Sequence, residues 1–242
     1  MSEKIHSMNL SSIKSIAFLI LGCGIVASIT SCGVTQEQAR LKAEAAAQPR
    51  WFLHEERIAA ATPQKTSIDI SLTSLTAQLV GADGKALAEM DVSPGVAGHE
   101  TPAGKFFVRE KLPLKKSNLY GRYVRRDTGE IVVQKAWEHQ GPRPPGTVYE
   151  GISMPWWLRL TDDGVGIHVG GFSRGQTTSH GCIRCPEPAQ KIFWNLSRVG
   201  TPVRVHTGVH PSPSLLAPHD EEVSFFLGGY FAGTSLENSS SR

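Results

Sequence analysis

The sequence predicts a mostly β fold, with mixed sheets in a sandwich-like arrangement and one or two short helices. From Ser67 onward apolar and polar residues alternate, with Ile68 and Ile70 on one side, which is the period of a half-buried strand. The dipeptide Asp83-Gly84 between two such runs is typical of a hairpin turn. Apolar residues at helical spacing stand out chiefly in residues 186–198, so strands predominate.

The elements are predicted in the following order. Residues 36–47, rich in Ala, Glu and Gln, can form a short helix ahead of the domain. Strands are expected at residues 67–72, 76–80, 86–92, 130–135, 154–160, 165–169 and 201–206, with another strand after the Gly- and Pro-rich loop that begins at residue 93. Pro186 and Pro188 mark the start of the helix at 186–198, and residues 115–123 form a polar segment.

The first 31 residues have the features of a signal peptide and are excluded from the fold. Lys4 and Lys14 supply positive charge, and the apolar run at residues 16–29 is shorter than the roughly 20 residues of a membrane span. The run ends in Ile29-Thr30-Ser31-Cys32, which resembles the lipobox of bacterial lipoproteins, so Cys32 is the predicted lipidation site. Cys23 is a rival with too short an apolar core ahead of it, and an uncleaved anchor is the alternative.

This interpretation divides the chain into a signal peptide at residues 1–31, a tether at 32–65, a folded domain at 66–207 and a loosely ordered tail at 208–242. Gly33, rather than Asp, follows Cys32. By resemblance to Gram-negative lipoproteins, the protein is therefore expected to be exported to the periplasmic side and held by lipid in the outer membrane.

Charge and cysteine content exclude two classes of protein. The formal net charge is only +3 and the Lys and Arg residues are scattered, so no nucleic-acid partner is expected. Of the four cysteines, only Cys182 and Cys185 would remain in the folded domain. Two cysteines three positions apart do not make a disulfide framework, so stability must come from a hydrophobic core.

The run Ser179-His180-Gly181-Cys182-Ile183-Arg184 is the most informative motif, and His168 lies fourteen positions before Cys182. A thiolate can attack a carbonyl, a nearby imidazole can take and return the proton, and a glycine lets backbone N–H groups approach the oxyanion. The pattern therefore indicates a cysteine acyl-transfer enzyme. Pairing with His168 is expected to raise the thiolate fraction of Cys182 at neutral pH.

Two other interpretations of these residues are open. Cys182 and Cys185 spell the C-x-x-C pattern of thioredoxin-like enzymes, but that pattern follows an early βαβ unit and here it comes late among strands. The two cysteines with His168 and His180 are a possible zinc-ligand set, although their spacing is unlike common zinc patterns and a metal would silence the nucleophile. Cys185 is expected to be a small buried hydrophobe.

Together with Thr101-Pro102-Ala103-Gly104-Lys105-Phe106, the motif resembles the L,D-transpeptidase catalytic domain of bacterial cell-wall enzymes, across residues 67–207. The resemblance implies that family's fold and the acylation of Cys182 by a peptidoglycan stem tetrapeptide, with loss of the terminal D-alanine. The acyl group of the third residue would then pass to an amine of another stem or of a protein. No cofactor or metal is implied, and acylation of Cys182 by carbapenems is expected.

The resemblance also assigns roles to individual residues. His168 would be the general base and acid, oriented by a backbone carbonyl. Support of the loop and its oxyanion hole is assigned to Ser179, His180 and Gly181. From the residues themselves, substrate contacts are expected at Arg184, which can pair with a carboxylate, at Thr101 beside the groove and at Trp156, which can stack on a sugar or stem peptide. Each of these three has a structural alternative: an ion pair for the arginine, a turn for the threonine and core packing for the tryptophan.

Two rival functions use the same residues differently. With water as the acceptor the site would belong to an L,D-hydrolase, a carboxypeptidase or amidase. A non-catalytic cell-wall-binding lipoprotein would not require an intact Cys182 and His168. Two departures from the family pattern are visible: the segment between these residues is shorter than in many members, and Cys185 stands where an aliphatic residue is usual.

Overall fold

The structure, a computed structural model, describes residues 36–216 of the 242-residue chain. Residues 36–47 form helix α1, which belongs to a first unit, Met1–Ala47, and is exposed along its whole described length. All other described residues belong to a second unit, Gln48–Arg242. The predicted signal peptide at 1–31, the predicted lipidation site Cys32 and residues 217–242 lie outside the described residues. No helix within residues 36–216 is both long and apolar enough for a membrane crossing.

The first sheet of the second unit has six strands in the order β1-β4-β3-β2-β11-β5. These strands are β1 (Trp51–Leu53), β2 (Ser67–Ser71), β3 (Thr76–Val80), β4 (Ala86–Asp91), β5 (Gly104–Phe107) and β11 (Pro202–His206). Strands β2 and β11 are parallel, and every other neighbouring pair is antiparallel. The parallel pair joins the last strand of the domain to a strand near its start, since Ile68 lies beside Val203 and Ile70 beside Val205.

The second sheet has five strands in the order β10-β9-β8-β6-β7. These strands are β6 (Glu110–Arg125), β7 (Ile131–Val133), β8 (Thr147–Arg159), β9 (Gly166–Val169) and β10 (Ile183–Cys185). Strands β9 and β10 are parallel and the other pairs are antiparallel. Strand β9 carries His168, and strand β10 begins directly after Cys182.

Strands β6 and β8 form a long antiparallel arm, which runs from the Glu110–Arg159 pair to the Arg125–Thr147 pair. The sequence analysis predicted only a polar segment at residues 115–123. Most side chains of β6 are exposed or half-buried on both faces, so the strand shows no apolar alternation from which it could be recognised.

Side chains from both sheets and from helix α3 (Glu187–Asn195) form one hydrophobic core. Ile68 and Leu79 of the first sheet, Leu158 and Ile183 of the second, and Phe193 of α3 are all fully buried. Each such side chain contributes about 1.5–3 kcal/mol when it leaves water. Two mixed sheets with few helices confirm the prediction of a mostly β fold.

Helix α3 lies within the predicted segment 186–198 and follows β10 after a single residue. Pro188 occupies the first turn, where the missing N–H of proline is not needed. Ala189 and Phe193, one turn apart, are buried, so the helix is held on its core-facing side. The packing of α3 therefore fixes the end of the short strand that begins after Cys182.

Part of the predicted tether at residues 32–65 belongs to the folded domain. Strand β1 pairs with β4, and helix α2 (Glu55–Ala60) and a 3-10 turn (Pro63–Lys65) lead from it to β2. Arg50, just before β1, donates hydrogen bonds from its backbone and guanidinium to the buried carboxylate of Asp91. A three-residue strand is too short to show a period, so the sequence analysis missed it.

Residues 207–216, here named the C-terminal strap, are also more ordered than the prediction of a loose tail from residue 208. The strap crosses the first sheet and covers polar side chains that are fully buried. Gln78 donates to the carbonyl oxygens of Ser212 and Pro213, and Glu89 accepts from Ser214 and from the N–H of Leu215. The physical reason for the difference is that these bonds reach residues more than 120 positions away, which local composition does not reveal.

Candidate active site

His168 and the residues around Cys182 are brought together by the parallel pair β9–β10. In its register Ile183 lies beside Ile167 and Arg184 beside His168. If this register continues by one residue, Cys182 lies beside Gly166. Cys182 and His168 are then on neighbouring strands, two residues apart along the strand direction. Neighbouring strands are about 4.8 Å apart, so the two motifs that are distant in sequence share one sheet edge.

His168 is buried, with 6% of its surface exposed, and its ring is fixed by one hydrogen bond. Nδ1 lies 2.8 Å from the carbonyl oxygen of Val169. A carbonyl can only accept, so Nδ1 carries the proton and Nε2 has a free lone pair. Burial lowers the pKa of His168 to about 4. The nearby charge of Arg184 also lowers this pKa, whereas the hydrogen bond to Val169 raises it. At neutral pH the imidazole is therefore uncharged and able to accept a proton.

Cys182 is half-buried, and its sulfur contacts the turn that precedes β9. Sγ lies 3.7 Å from the carbonyl oxygen of Gly164. Burial raises the pKa of the thiol, opposed by the N–H of Gly166 and the charge of Arg184. Within the described part of the chain no hydrogen bond joins Sγ to His168. Burial thus acts against the expected rise in the thiolate fraction, because it raises the pKa of the thiol and lowers that of the imidazole, which favours a neutral thiol and a neutral imidazole at neutral pH.

The loop before Cys182 is held from two sides. The hydroxyl of Ser179, which is 2% exposed, donates to the carbonyl oxygen of Cys182. The N–H of Ser179 donates to Pro94 at 3.2 Å and its carbonyl accepts from Val96 at 3.0 Å. Gly181 has a φ of +106°, which a residue with a side chain rarely adopts.

Thr101 is buried and is not exposed as a substrate contact would be. It is 5% exposed, and its hydroxyl accepts from the N–H of Gly95 at 2.9 Å and donates to the carbonyl oxygen of Gly181 at 2.8 Å. The structure thus places Thr101 under the loop that carries Cys182, in line with the structural alternative.

His180 is exposed and forms an aromatic stack with residues from two other segments. Its ring lies 4.5 Å from that of His99, edge-on, and 5.0 Å from that of Tyr120, nearly parallel. Tyr120 belongs to the β6–β8 arm and also contacts Trp137 edge-on at 5.4 Å. The arm thereby reaches the Cys182 loop. Sequence analysis missed Tyr120 and Trp137, since neither lies in a recognisable motif.

Arg184 lies on the same face of the sheet as His168, with its guanidinium half-exposed. Its Nη1 donates to the carbonyl oxygen of Gly171 at 3.4 Å and to the hydroxyl of Thr178 at 3.3 Å. Among residues 36–216 it forms no ion pair with a carboxylate, so the structural alternative has no partner there. Its charge lowers the pKa of both His168 and Cys182, as expected for a cation beside the reacting groups.

The two adjacent tryptophans of β8 contact different parts of the domain. Trp157 is buried and its ring centroid lies 6.0 Å from that of His168. Trp156 instead contacts Trp194 of α3 at 5.2 Å, with the ammonium of Lys191 5.3 Å above its ring. These contacts lend no support to Trp156 as a substrate contact, and they place Trp157 under the strand that carries His168.

Cys185 is fully buried, and burial raises the pKa of its thiol well above the usual value. Both cysteines are free thiols. Cys185 ends β10, where each residue advances the chain by about 3.3 Å, so three steps separate the two Cα atoms by more than a disulfide permits. The C-x-x-C pattern here is therefore not a redox pair.

A cluster of side chains that could bind a metal lies away from Cys182, between the first sheet and the strap. Ligand atoms of Asp69, His206 and His210 all lie within 4.8 Å of one another, and within residues 36–216 no other group of three or more such residues is so arranged. However, the N–H of Gly208 donates to Nδ1 of His206 at 3.0 Å, so Nε2 must carry the proton that it shares with Asp69. Arg204 also lies 2.6 Å from Asp69. The cluster is thus a hydrogen-bonded network in which a cation would meet N–H groups and a guanidinium.

The fold and the site together define a domain of two mixed sheets in which His168 lies on one strand of a parallel pair and Cys182 directly precedes the other. The family model described as YkuD, L,D-transpeptidase catalytic domain, matches residues 65–205. The chain belongs to this family. A comparison with curated proteins gave no match.

Solved structures similar to this chain are L,D-transpeptidases. One from Mycobacterium smegmatis is 20% identical with a TM-score of 0.42, over 58% of this chain and 58% of that one. One from Stackebrandtia nassauensis is 20% identical with a TM-score of 0.42, over 64% and 65%. L,D-transpeptidase 3 from Mycobacterium tuberculosis is 18% identical with a TM-score of 0.42, over 58% and 60%. The match thus spans about three fifths of these proteins, and family membership rests on the family model alone.

Proposed function

We propose that this protein is an L,D-transpeptidase that joins peptidoglycan stem peptides through a thioester on Cys182. The observation that carries the proposal is the free lone pair on Nε2 of a neutral, buried His168, one strand across from Cys182. A binding protein has no need of such an imidazole, whereas acyl transfer from a neutral thiol requires one.

In the first half-reaction Cys182 attacks the carbonyl of the third stem residue while His168 takes the thiol proton at Nε2. A C–S bond forms, and the tetrahedral oxyanion is stabilised by backbone N–H groups of the loop. The C–N bond to the terminal D-alanine then breaks, and His168 returns the proton to the leaving amine. The products are a thioester and free D-alanine.

In the second half-reaction an amine of another stem, or of a protein, attacks the thioester. His168 removes the proton of that amine and gives it to the departing sulfur of Cys182. The new C–N bond is the cross-link. Arg184, which has no acidic partner among the described residues, is suited to hold a carboxylate of the stem peptide.

Incubation of the purified protein with a stem tetrapeptide, followed by mass spectrometry, tests the proposal. A cross-linked dimer supports transpeptidation, a tripeptide indicates a hydrolase, and unchanged peptide indicates a binding protein. Cys182→Ala is expected to lose all activity and the carbapenem adduct, while Cys185→Ala, which changes a buried thiol outside the reaction, keeps both. Full activity of Cys182→Ala would contradict covalent catalysis.

We also propose that the enzyme works on the periplasmic side as a lipoprotein anchored through Cys32. The support is the apolar run that ends at this cysteine. Cys32→Ala is expected to abolish incorporation of labelled fatty acid and to release the protein from membrane fractions, while Cys23→Ala leaves both unchanged. The reverse result would move the anchor to Cys23.

A further inference from the structure

We propose that Thr101 is a positioning residue that aims the N–H of Cys182 at the reacting carbonyl oxygen. The inference rests on the proposed acyl transfer and deepens it. Thr101 touches neither the thiol nor the imidazole; it would act through the peptide that joins Gly181 to Cys182.

The two hydrogen bonds of Thr101 have only one possible direction. The N–H of Gly95 must donate, so the threonine oxygen accepts at 2.9 Å. The carbonyl of Gly181 must accept, so the single hydroxyl proton points to it at 2.8 Å. The hydroxyl thus links the loop between β4 and β5 of the first sheet to the residue before the nucleophile, 80 positions away.

This bond to the carbonyl also sets the direction of the neighbouring N–H. A trans peptide is planar, with its N–H opposed to its C=O, so the N–H of Cys182 points away from Thr101. On the other side of Cys182, the hydroxyl of Ser179 holds the carbonyl of the next peptide. Both peptide planes that flank the nucleophile are therefore held by hydroxyl groups.

The need for such a restraint comes from Gly181. Without a side chain, glycine populates many backbone conformations, and this one sits at a φ of +106°. Space alone does not hold it, since a Cβ on Gly181 would meet only Val165 at 3.5 Å and the carbonyl of His99 at 4.0 Å. Loss of the Thr101 bond would let the peptide rotate and the oxyanion donor turn away.

Thr101→Val keeps the shape of the side chain and removes the hydroxyl. We expect it to slow carbapenem acylation and peptide turnover by roughly 10- to 100-fold, less than the roughly 100- to 1000-fold cost of removing an oxyanion donor because the N–H is misaligned but still present, with KM changed far less. Thr101→Ser, which keeps the hydroxyl, should restore most of the rate. Thr66→Val is the matched control, because Thr66 is equally buried and its hydroxyl bonds the carbonyl of Leu196 away from the site.

Amide chemical shifts of Gly181 and Cys182, measured by NMR, give a readout that does not depend on activity. They should move in Thr101→Val and stay near the wild-type values in Thr101→Ser and Thr66→Val. Unmoved amides, an acylation rate equal to that of Thr66→Val, or equal loss in both Thr101 variants would overturn the inference. If the wild-type protein forms no adduct, the proposed function fails, and the amide shifts still decide the role of Thr101.

Discussion

At the scale of the residue, the central feature is an imidazole that burial keeps neutral. His168 has one nitrogen fixed by the carbonyl of Val169 and the other free, so no carboxylate is needed to set its tautomer. Cys182 is kept as a thiol by burial. The structure therefore favours proton transfer during attack over a thiolate–imidazolium pair that exists beforehand.

This arrangement predicts an unusual pH dependence of acylation. The active form has a neutral His168, and since its pKa is lowered to about 4, the rate should hold down to about pH 5 and fall only near pH 4. Burial raises the pKa of the Cys182 thiol, so the thiolate forms only above the usual thiol pKa, and the rate should show no increase with pH below that value. Carbapenem acylation followed from pH 3.5 to 9 by stopped-flow absorbance measures this. An acid limb near pH 6.5 would contradict a buried neutral base.

Cys182, His168 and Arg184 could be nominated from sequence because their chemistry is explicit in the residue types and their spacing. The roles of Thr101 and Tyr120 could not, because each depends on a partner at least 60 positions away. A hydroxyl in a loop looks the same whether it faces a substrate or a buried carbonyl. Only the fold distinguishes the two.

At the scale of the element, β9 is held in place by a contact with β8 that leaves no room for a side chain. A Cβ on Gly166 would lie 2.5 Å from the ring of Trp157 and 2.7 Å from the carbonyl oxygen of Leu158. Both neighbours are fully buried and cannot move aside. Strand β9 can therefore approach β8 only because position 166 is glycine.

Gly166→Ala is expected to destabilise the protein by about 1–3 kcal/mol through overpacking and to slow acylation by displacing His168. Gly171→Ala is the control, since a Cβ there meets nothing within 4 Å. Urea denaturation and carbapenem acylation measure the two effects. Equal stability of both variants would show that the strands adjust without cost.

Strand prediction from sequence succeeded for strands that pack apolar side chains on the core and for the short exposed strand β7, but it missed β6 and β1. Strands β2 and β11 alternate apolar and polar residues because one face meets the core. Strand β6 has no such face along most of its length, and β1 has only three residues. The polar residues of β2 are buried too, so the alternation reports contact with the apolar core rather than burial, and a strand such as β6 without that contact does not show it.

At the scale of the whole molecule, the strap is joined to the first sheet by a network centred on Asp69. Burial alone would raise the pKa of this carboxyl, but hydrogen bonds from His210, Arg204 and His206 outweigh it and hold the pKa well below its usual range. The stability that this network contributes is therefore complete above the pKa of the unfolded carboxyl, and it is lost as the pH falls through the lower, folded value.

Asp69→Asn is expected to lower the free energy of unfolding at pH 7 by about 2–3 kcal/mol, because it removes the charge that three donors share. Asp162→Asn, which removes the exposed partner of Arg109, should change stability little. Chemical denaturation at pH 7 measures both. A similar decrease in the free energy of unfolding in both variants would show that the network stabilises the protein no more than an exposed ion pair does.

The parallel contact between β2 and β11 has a kinetic consequence. Strand β2 lies near the start of the domain and β11 is its last described strand, so the first sheet cannot be completed until nearly the whole domain has been made. Folding that depends on such distant pairings is slow, because the long intervening chain must first be brought together. A nascent or truncated chain that stops before residue 202 would expose the edges of β2 and β5 and be an early target for proteases and aggregation.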